Sequence, residues 1–243
     1  MKQRQIRVIV TGALGRTGSE VLSALADDHI SFASIVCGVD VRAKADEKLF
    51  GVPIYADFSA ITERADALID FSSAESVATR LEFAAAHGLC AVLAPTGFSA
   101  EDEKRIGDYA ERIAIFRAAN FSLGAAVTEE LCLRAKRLLP DFETAIIEKH
   151  HKTKKDAPSG TALRLAAAID GTATGKTAIY PLRLGTFPGE HEIIFAGDGE
   201  SVTMIHRAES RRIFALGAIK AAGFLFGKPA GLYGMKDMMK ELF

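Results

Sequence analysis

The sequence predicts an α/β fold in which a parallel sheet is followed by a smaller α+β region. Up to Asn120, short apolar strands alternate with helical patterns, as in parallel sheets. These strands are rich in β-branched residues, which is typical of strands covered on both faces. Beyond Asn120 a helical pattern is followed by several strand-like runs, two of which flank a short glycine-containing turn. The chain is therefore expected to contain two domains.

The first region contains five predicted strands and three predicted helices. The strands are placed at residues 6–10, 34–39, 67–71, 91–94 and 113–116, and the helices at 17–27, 75–86 and 99–111. Their alternation along the chain is the pattern of βαβ units, whose strands lie parallel in one sheet.

The second region begins with apolar residues at helical spacing, which continue until Pro140 ends the helix. Strand-like runs follow at residues 144–147, 178–180, 191–195, 201–205 and 212–214, and the turn at 196–200 predicts a hairpin. The tail from 215 to 243 has a helical pattern that is broken at 227–229. We assign residues 1–120 and 211–243 to a first, dinucleotide-binding domain. Residues 121–210 are assigned to a second domain for substrate binding and oligomerisation.

Composition restricts the classes of function. The net charge of −1 over 243 residues provides no general attraction for nucleic acid or an anionic membrane. The sequence contains no apolar run of membrane-spanning length and begins without a signal-peptide pattern. Cys37, Cys90 and Cys132 lie far apart in the sequence and form no C-x-x-C pattern. This spacing is typical of reduced cysteines in a protein of a reducing compartment. We expect a cytoplasmic protein without a metal site, a disulfide frame, a nucleic-acid partner or a membrane partner.

The loop after the first strand predicts a Rossmann-like dinucleotide site. Gly12, Gly15 and Gly18 form a G-x-x-G-x-x-G pattern that opens the first helix. Glycines permit the tight turn and a close approach to pyrophosphate, and the helix N-terminus favours negative charge. An ordinary glycine-rich turn is the alternative. Asp40 ends the second strand about 20 residues later, where an acidic side chain binds the adenine ribose.

The residues around Asp40 bear on the choice of cofactor. A carboxylate at this place repels a 2′-phosphate and favours NADH, but Arg42 and Lys44 follow and would offset it for NADPH. We therefore expect NADH, with use of both cofactors left open. The loops 71–73, 94–98 and 118–121 follow other predicted strands. Each is an ordinary turn by itself, but together they lie where the nicotinamide and its ribose would be.

A histidine–lysine cluster in the second region predicts a site that binds an anion and transfers a proton. His150, His151 and Lys154 are followed by Pro158-Ser159-Gly160-Thr161, which is typical of a helix start. N–H groups at a helix start bind anions, and imidazole titrates near neutral pH. A solvated lysine-rich loop is the alternative. A metal site is disfavoured, because adjacent side chains on an extended segment point in opposite directions.

The motif His-His-x-x-Lys-x-Asp-Ala-Pro-Ser-Gly-Thr at 150–161, downstream of a dinucleotide fold, resembles that of the 4-hydroxy-tetrahydrodipicolinate reductase (dihydrodipicolinate reductase) family. The segments 12–18, 118–121 and 231–237 support the resemblance, which extends over nearly the whole chain. It implies reduction of the cyclic imine dicarboxylate 4-hydroxy-tetrahydrodipicolinate to tetrahydrodipicolinate in lysine and diaminopimelate biosynthesis. It also implies NADH and/or NADPH as cofactor, a small dicarboxylate as substrate, and a homotetramer formed by the second domains.

The resemblance also implies roles for individual residues. His150 resembles the proton donor and acceptor, Lys154 resembles a second proton donor, and the decisive one of the two is left open. The substrate-binding set is His151, Ser159, Gly160 and Thr161. The cofactor-binding set is Gly12, Ala13, Leu14, Gly15, Arg16, Thr17, Asp40, Ala94, Pro95, Thr96, Ala118, Ala119, Asn120 and Phe121.

One loop departs from the pattern of the family. The family usually has Gly-Thr-Thr-Gly where this chain has Ala94-Pro95-Thr96-Gly97, and a proline stiffens the loop and removes a donor. We expect altered nicotinamide contacts and retained function. The alternatives are another two-domain dehydrogenase, such as a homoserine-dehydrogenase-like protein, and a dinucleotide sensor without catalysis. The first lacks the histidine–lysine motif, and the second would be expected to have lost His150 or Lys154.

Overall fold

The computed structural model describes residues 5–27, 30–171 and 177–242 of the chain. The chain divides into two units by its internal contacts. Unit 1 comprises Met1–Phe121 and Arg212–Phe243, and unit 2 comprises Ser122–Arg211. Unit 2 is therefore an insertion between two separate parts of unit 1.

The strands and helices are numbered in chain order. The strands are β1 (Ile6–Thr11), β2 (Ala33–Val39), β3 (Lys48–Leu49), β4 (Val52–Tyr55), β5 (Ala67–Asp70), β6 (Cys90–Leu93), β7 (Ala114–Arg117), β8 (Glu143–His150), β9 (Ala178–Arg183), β10 (Gly189–Ala196), β11 (Ser201–Ala208) and β12 (Gly231–Tyr233). The helices are α1 (Gly18–Leu25), α2 (Val77–Ala86), α3 (Ala100–Ala110), α4 (Leu123–Leu138), α5 (Gly160–Asp170), α6 (Arg212–Leu225) and α7 (Met235–Leu242).

Unit 1 is built on an eight-stranded sheet in the order β12-β7-β6-β5-β1-β2-β4-β3. The neighbouring pairs are parallel except for β3 and β4, which are antiparallel. The central strands are buried, as their apolar sequences predict, and Leu68, Leu93 and Ile115 are fully buried in the core. The α/β fold class predicted from the sequence is confirmed, and the carboxyl ends of β1, β2, β5, β6 and β7 share one edge of the sheet.

Unit 2 has a four-stranded mixed sheet in the order β11-β10-β8-β9. The pairs β8–β10 and β10–β11 are antiparallel, whereas β8 and β9 are parallel. Its core joins Ile146, Ile193 and Phe195 of the sheet to Leu165 of α5 and Cys132 of α4. The hairpin predicted around residues 196–200 is confirmed, because Ala196 pairs with Ser201.

The strand predicted at residues 212–214 is wrong, because these residues begin α6. Only two of these three residues, Ile213 and Phe214, are apolar, and so short a run does not distinguish a strand from a helix. The buried residues Ala215, Ala218 and Ala222 follow at helical spacing, and α6 packs against α1 and the strands β5, β6 and β7 of the same unit. The tail is helical, as predicted, except for the unpredicted strand β12; Phe243, the last residue of the predicted tail, lies outside the described residues.

In the part of the chain that the structure describes, none of the helices has the length and apolar character that a membrane span requires.

Candidate functional site

The glycines of the first loop allow β1, α1 and the end of β5 to approach closely. Gly12 has a φ of +69°, and a Cβ on it would lie 2.6 Å from the carbonyl oxygen of Phe71. A Cβ on Gly18 would lie 2.1 Å from the carbonyl oxygen of Gly12. Only glycine fits such contacts without displacing backbone. The tight turn lies at the N-terminus of α1, where N–H groups bind anions, and it carries Ala13, Leu14, Gly15, Arg16 and Thr17 of the cofactor set.

Asp40 lies directly after β2, where the sequence predicts it, and its carboxylate is already paired. It accepts hydrogen bonds from the backbone N–H of Leu14 at 3.0 Å and of Arg42 at 3.1 Å. The Arg42 guanidinium donates two more bonds of 2.8 Å. These bonds from Arg42 are the main reason that the pKa of Asp40 is lower than usual, although burial opposes them. The position predicted to bind the ribose therefore holds an ionised carboxylate and a guanidinium side by side.

A cavity of about 500 Å³ lies beside this pair in unit 1. Its lining includes Gly12, Asp40 and Arg42 from the loops after β1 and β2, together with Phe71 and Ser72 from the loop after β5. Such a volume is within the usual range for small-molecule pockets, and ligands of open α/β sheets bind outside the carboxyl ends of the strands. The cavity, the glycine turn and the carboxylate together fit the adenosine part of a dinucleotide.

A buried ion pair that the sequence did not reveal supports this loop. The carboxylate of Asp70 accepts a hydrogen bond of 2.6 Å from the hydroxyl of Thr11 and one of 2.9 Å from the N–H of Ser72. The Nε of Arg80 lies 2.6 Å from Oδ2 of Asp70, although its N–H is not aimed at that oxygen. Arg80 also donates to the carbonyl oxygens of Ser73 and Glu75. Arg80 thus ties the loop that lines the cavity to the end of β5.

The other predicted cofactor loops, 94–96 and 118–121, follow β6 and β7 at the same edge of the sheet. The N–H of Ala94 donates to the carbonyl oxygen of Asp70 at 3.0 Å, which fixes the start of the first loop. Pro95 is buried and Thr96 is exposed. Phe121 is buried too, with its ring centroid 5.8 Å from that of Phe116. The predicted cofactor residues therefore all lie along one edge of unit 1.

The second group of predicted residues lies in unit 2 around a buried carboxylate, that of Glu148. Its side chain accepts hydrogen bonds from Nδ1 of His150, from the Ser159 N–H at 3.0 Å, and from the Arg183 guanidinium at 2.7 and 2.9 Å. Sequence reasoning gave no role to Glu148 or Arg183. They join the predicted proton donor to the start of α5, where carboxylate binding was predicted.

His150 ends β8 and is only 8% exposed. Burial lowers the pKa of His150 from its ordinary value, and the charges of Lys154 and Arg183 act in the same direction, whereas the bond to Glu148 raises it. Because Nδ1 bonds to Glu148, Nε2 is the nitrogen left to exchange a proton. A Cβ on Gly189 would lie 3.1 Å from Nε2, so glycine leaves the space that this nitrogen occupies.

The loop between β8 and α5 places the other predicted residues. Nζ of Lys154 donates to both carboxylate oxygens of Asp156, at 2.7 and 2.8 Å, and Nδ1 of His151 lies 2.7 Å from the hydroxyl of Thr153. Helix α5 starts at Gly160, followed by Thr161, and Ser159 caps it by accepting from the N–H of Ala162 at 3.2 Å. The chain thus brings the predicted proton donors and the helix start together in unit 2.

Three histidine rings lie side by side across the unit 2 sheet, a grouping that sequence reasoning missed. The ring centroid of His191 lies 5.4 Å from that of His150 and 6.5 Å from that of His206. Nε2 of His191 is 3.1 Å from the hydroxyl of Ser159, and Nε2 of His206 is 3.2 Å from that of Ser122, which caps α4. Two helix caps therefore rest against imidazole rings of the sheet. Among the described residues, no cluster of three or more His, Cys, Asp or Glu side chains is arranged to hold a metal ion.

Burial of His191 makes stability depend on pH. Its folded-state pKa is about 4, mainly because burial disfavours the charged ring and next because of nearby His150, against an ordinary value of 6.5. The unfolded chain therefore binds a proton first as the pH falls, and the contribution of His191 is lost between pH 6.5 and about 4. We expect the free energy of unfolding to fall by roughly 3 kcal/mol more in the wild type than in His191→Gln across this range.

Urea unfolding of both proteins at several pH values measures this difference. Glutamine retains an acceptor for the Ser159 hydroxyl but has no titratable group. Parallel pH dependences for the two proteins would contradict the assignment of the effect to His191.

Two protein-family models together match almost the whole chain. A model described as the dihydrodipicolinate reductase N-terminus matches residues 6–121, and one described as the C-terminus of the same enzyme matches residues 124–239. The chain belongs to the dihydrodipicolinate reductase family. Its N-terminal part is accordingly a dinucleotide-binding Rossmann domain of an NAD(P)H-dependent family, and the chain is an oxidoreductase of lysine and diaminopimelate biosynthesis.

Individual members of this family are similar in sequence to this chain over almost their whole length. A 4-hydroxy-tetrahydrodipicolinate reductase of Caldanaerobacter subterraneus subsp. tengcongensis is 39% identical over 254 residues, covering 97% of this chain and 99% of the relative. One of Stenotrophomonas maltophilia is 40% identical over 242 residues, covering 99% and 100%. The predicted resemblance to the dihydrodipicolinate reductase family is confirmed.

Solved structures share the fold. Dipicolinate-bound dihydrodipicolinate reductase from Paenisporosarcina sp. TG-14 superposes with a TM-score of 0.82 at 23% identity, over 96% of this chain and 99% of the other. A probable dehydrogenase from Thermotoga maritima gives a TM-score of 0.68 at 14% identity, over 94% and 91%. At these identities the likeness concerns the fold alone.

Proposed function

We propose that this chain reduces 4-hydroxy-tetrahydrodipicolinate with NADH or NADPH, and that His150 supplies the proton. The arrangement around Glu148 carries the proposal, since one carboxylate contacts both the predicted proton donor and the backbone that begins α5. A dicarboxylate held at that helix start would lie near a titratable imidazole. The dipicolinate that is bound to the Paenisporosarcina enzyme is a dicarboxylate of this kind.

The substrate would be held by positive charge and by N–H groups. We assign its carboxylates to the N–H groups and hydroxyl at Gly160 and Thr161, with help from His151. Ser159 uses its N–H and its hydroxyl within unit 2, so its part is to keep the helix start in place. Lys154 pairs with Asp156, and an arriving carboxylate would compete for the same ammonium group.

Binding of the substrate would prepare His150 for proton transfer. The neutral imidazole is favoured before binding, because burial lowers its pKa. Two carboxylates arriving nearby would raise that pKa and favour the imidazolium. Loss of the 4-hydroxyl together with a ring hydrogen, as water, gives a conjugated imine, to which NAD(P)H would supply a hydride when bound. His150 then donates a proton from Nε2 to the negative charge that this addition creates, and Lys154 offsets the same charge.

The residues of unit 1 fit the cofactor, and Asp40 favours NADH. A ribose with free hydroxyls can donate to this carboxylate, whereas a 2′-phosphate would require Arg42 to turn away from Asp40. We expect kcat/KM for NADH to equal or exceed that for NADPH. Arg42→Ala is expected to lower kcat/KM about tenfold for NADPH only. This is the effect of losing one charge-assisted hydrogen bond to the 2′-phosphate. Steady-state kinetics with both cofactors measure this, and a strong NADPH preference in the wild type would contradict the role of Asp40.

The activity is tested in an assay in which the synthase that condenses pyruvate with aspartate semialdehyde generates the substrate. Oxidation of NADH is followed in the same assay. Turnover that requires the synthase supports the proposal. Binding of NADH without turnover would favour a sensor, and turnover of another substrate alone would favour a different dehydrogenase.

We also propose that the chain forms a homotetramer through unit 2 and functions in the cytoplasm. Large apolar side chains of unit 2 are exposed on β9 and β11, among them Tyr180 at 57% and Ile205 at 47%. A partner subunit that covers this surface would remove it from water. The cysteines at 37, 90 and 132 are free thiols, as in a reducing compartment. Light scattering of the purified protein tests the tetramer directly.

A further inference from the structure

We propose that Glu148 and Arg183 are positioning residues, which set the orientation and the charge of His150 and hold it beside the start of α5. This inference rests on the role proposed for His150. It adds a carboxylate and a guanidinium to the residues proposed for the reaction. Neither group is expected to contact the substrate.

The geometry shows how one buried carboxylate orients several groups. Glu148 is fully buried, and both of its oxygens accept hydrogen bonds. Oε2 bonds to Nδ1 of His150 and to Nη1 of Arg183. Oε1 accepts from the N–H of Ser159 and from Nη2 of Arg183. The ring of His150 and the backbone that precedes α5 are therefore fixed to the same rigid group.

Arg183 completes this arrangement from the neighbouring strand. His150 and Arg183 are paired residues of the parallel strands β8 and β9, which places the guanidinium next to Glu148. Arg183 also donates to the carbonyl oxygen of Asp156, in the loop that leads to α5. A buried carboxylate without a counter-charge is strongly disfavoured, so Arg183 allows Glu148 to remain ionised beside His150.

The two charges act on His150 in opposite directions. Glu148 raises the pKa of the imidazole, whereas Arg183 lowers it. Among the described residues, the other groups that act on it are Lys154 in the loop after β8, which pairs with Asp156, and His191 on β10, with His206 beyond it on β11. Helix α5 contributes its capped N-terminus. Removing either member of the pair should therefore change the proton affinity of His150 without removing the ring.

This effect distinguishes positioning from a merely structural ion pair. A structural pair would change stability when either partner is removed, but it would not shift the titration of His150 in opposite directions. Glu148→Gln is expected to lower the pKa of His150 by about one unit, and Arg183→Met to raise it by about one unit, as is usual when a nearby charge is removed. Glu148→Gln is also expected to lower kcat about 100-fold, because the ring loses its ionic partner.

The experiment is an NMR titration of the histidine ring signals in the full-length protein, with the signal of His150 assigned by its loss in His150→Asn. The pH dependence of kcat is recorded for the same variants. The matched control is Glu190→Gln. Glu190 is also a buried carboxylate of this sheet, but it pairs with Lys149 and Arg207. It is expected to leave the titration of His150 unchanged.

If either single variant does not fold, the double variant Glu148→Gln/Arg183→Met removes both charges together and is expected to return the pKa of His150 to near its wild-type value, with kcat still reduced. In folded single variants, shifts in the same direction or no shift would overturn the proposal. Where only the double variant folds, a pKa of His150 far from its wild-type value, or a normal kcat, would overturn it. Opposite shifts combined with normal kcat in His150→Asn would confirm that the pair sets the charge of His150 but reject the proposed function.

Discussion

Replacing His150 by asparagine is expected to lower kcat by about 10²- to 10⁴-fold, which is the usual contribution of a positioned general acid. The asparagine amide retains an N–H that can bond to Glu148, so the buried carboxylate keeps a donor. The group that is lost is Nε2, which lies against Gly189. Steady-state kinetics with the synthase-generated substrate measure the change, and KM for NADH is expected to remain near the wild-type value.

The control for this variant is His87→Asn, which removes an exposed histidine of unit 1 and is expected to leave kcat unchanged. A kcat near the wild-type value in His150→Asn would exclude His150 from the reaction. Lys154 would then be the better candidate for the decisive proton.

Replacing Gly18 by alanine is expected to raise KM for the dinucleotide about 10- to 100-fold. The added Cβ would lie 2.1 Å from the carbonyl oxygen of Gly12, so the turn that is proposed to bind the cofactor has to move. Forcing a methyl group into a packed site costs about 1–3 kcal/mol, and about 1.4 kcal/mol corresponds to a tenfold change in affinity. We expect kcat at saturating cofactor to remain near the wild-type value, since His150 belongs to the other unit.

The same substitution at Gly107 provides the control. Gly107 is an exposed residue of α3, and a Cβ on it would meet no atom within 4 Å among the described residues. Alanine there is expected to leave KM unchanged and to stabilise the helix slightly. An unchanged KM in Gly18→Ala, with thermal unfolding like that of the Gly107 variant, would contradict the account of the glycine turn.

The sequence was sufficient for features whose signals are local. The parallel sheet followed from buried strands alternating with helices, and the first loop followed from the spacing of Gly12, Gly15 and Gly18. Counting back from the hairpin turn would also have placed His191 opposite His206, because Ala196 pairs with Ser201. That count needs only the rule that residues of two antiparallel strands pair one for one away from the turn. The pairing of His191 with His206 could therefore have been predicted from the sequence.

Other features depend on contacts between distant parts of the chain. Arg183 lies 35 residues from Glu148, and the two meet only because β9 adds to the sheet parallel to β8. Similarly, the ion pair of Asp70 and Arg80 depends on how α2 packs after β5. Neither arginine belongs to a motif, so no local pattern distinguishes it from a surface arginine.

The residue that caps α5 is likewise decided by tertiary contacts. Asp156 would be a reasonable cap by residue type, but Ser159 caps α5 while Asp156 pairs with Lys154. Both are residues favoured at helix starts, and the choice depends on where the loop after β8 turns back toward Glu148. Propensity identifies the candidates, and the tertiary contacts choose between them.

The insertion of unit 2 into unit 1 governs the order in which the two can be completed during synthesis. Strand β12 pairs with β7, and α6 packs against α1 and the neighbouring strands, yet both elements follow unit 2 in the chain. The part of unit 1 that leaves the ribosome first therefore has an open sheet edge and an uncovered helix face, while unit 2 emerges as one continuous segment. Since domains fold as units when their residues are available, unit 2 can be finished before the unit that precedes it. The incomplete nascent unit 1 is the species that chaperones would need to protect.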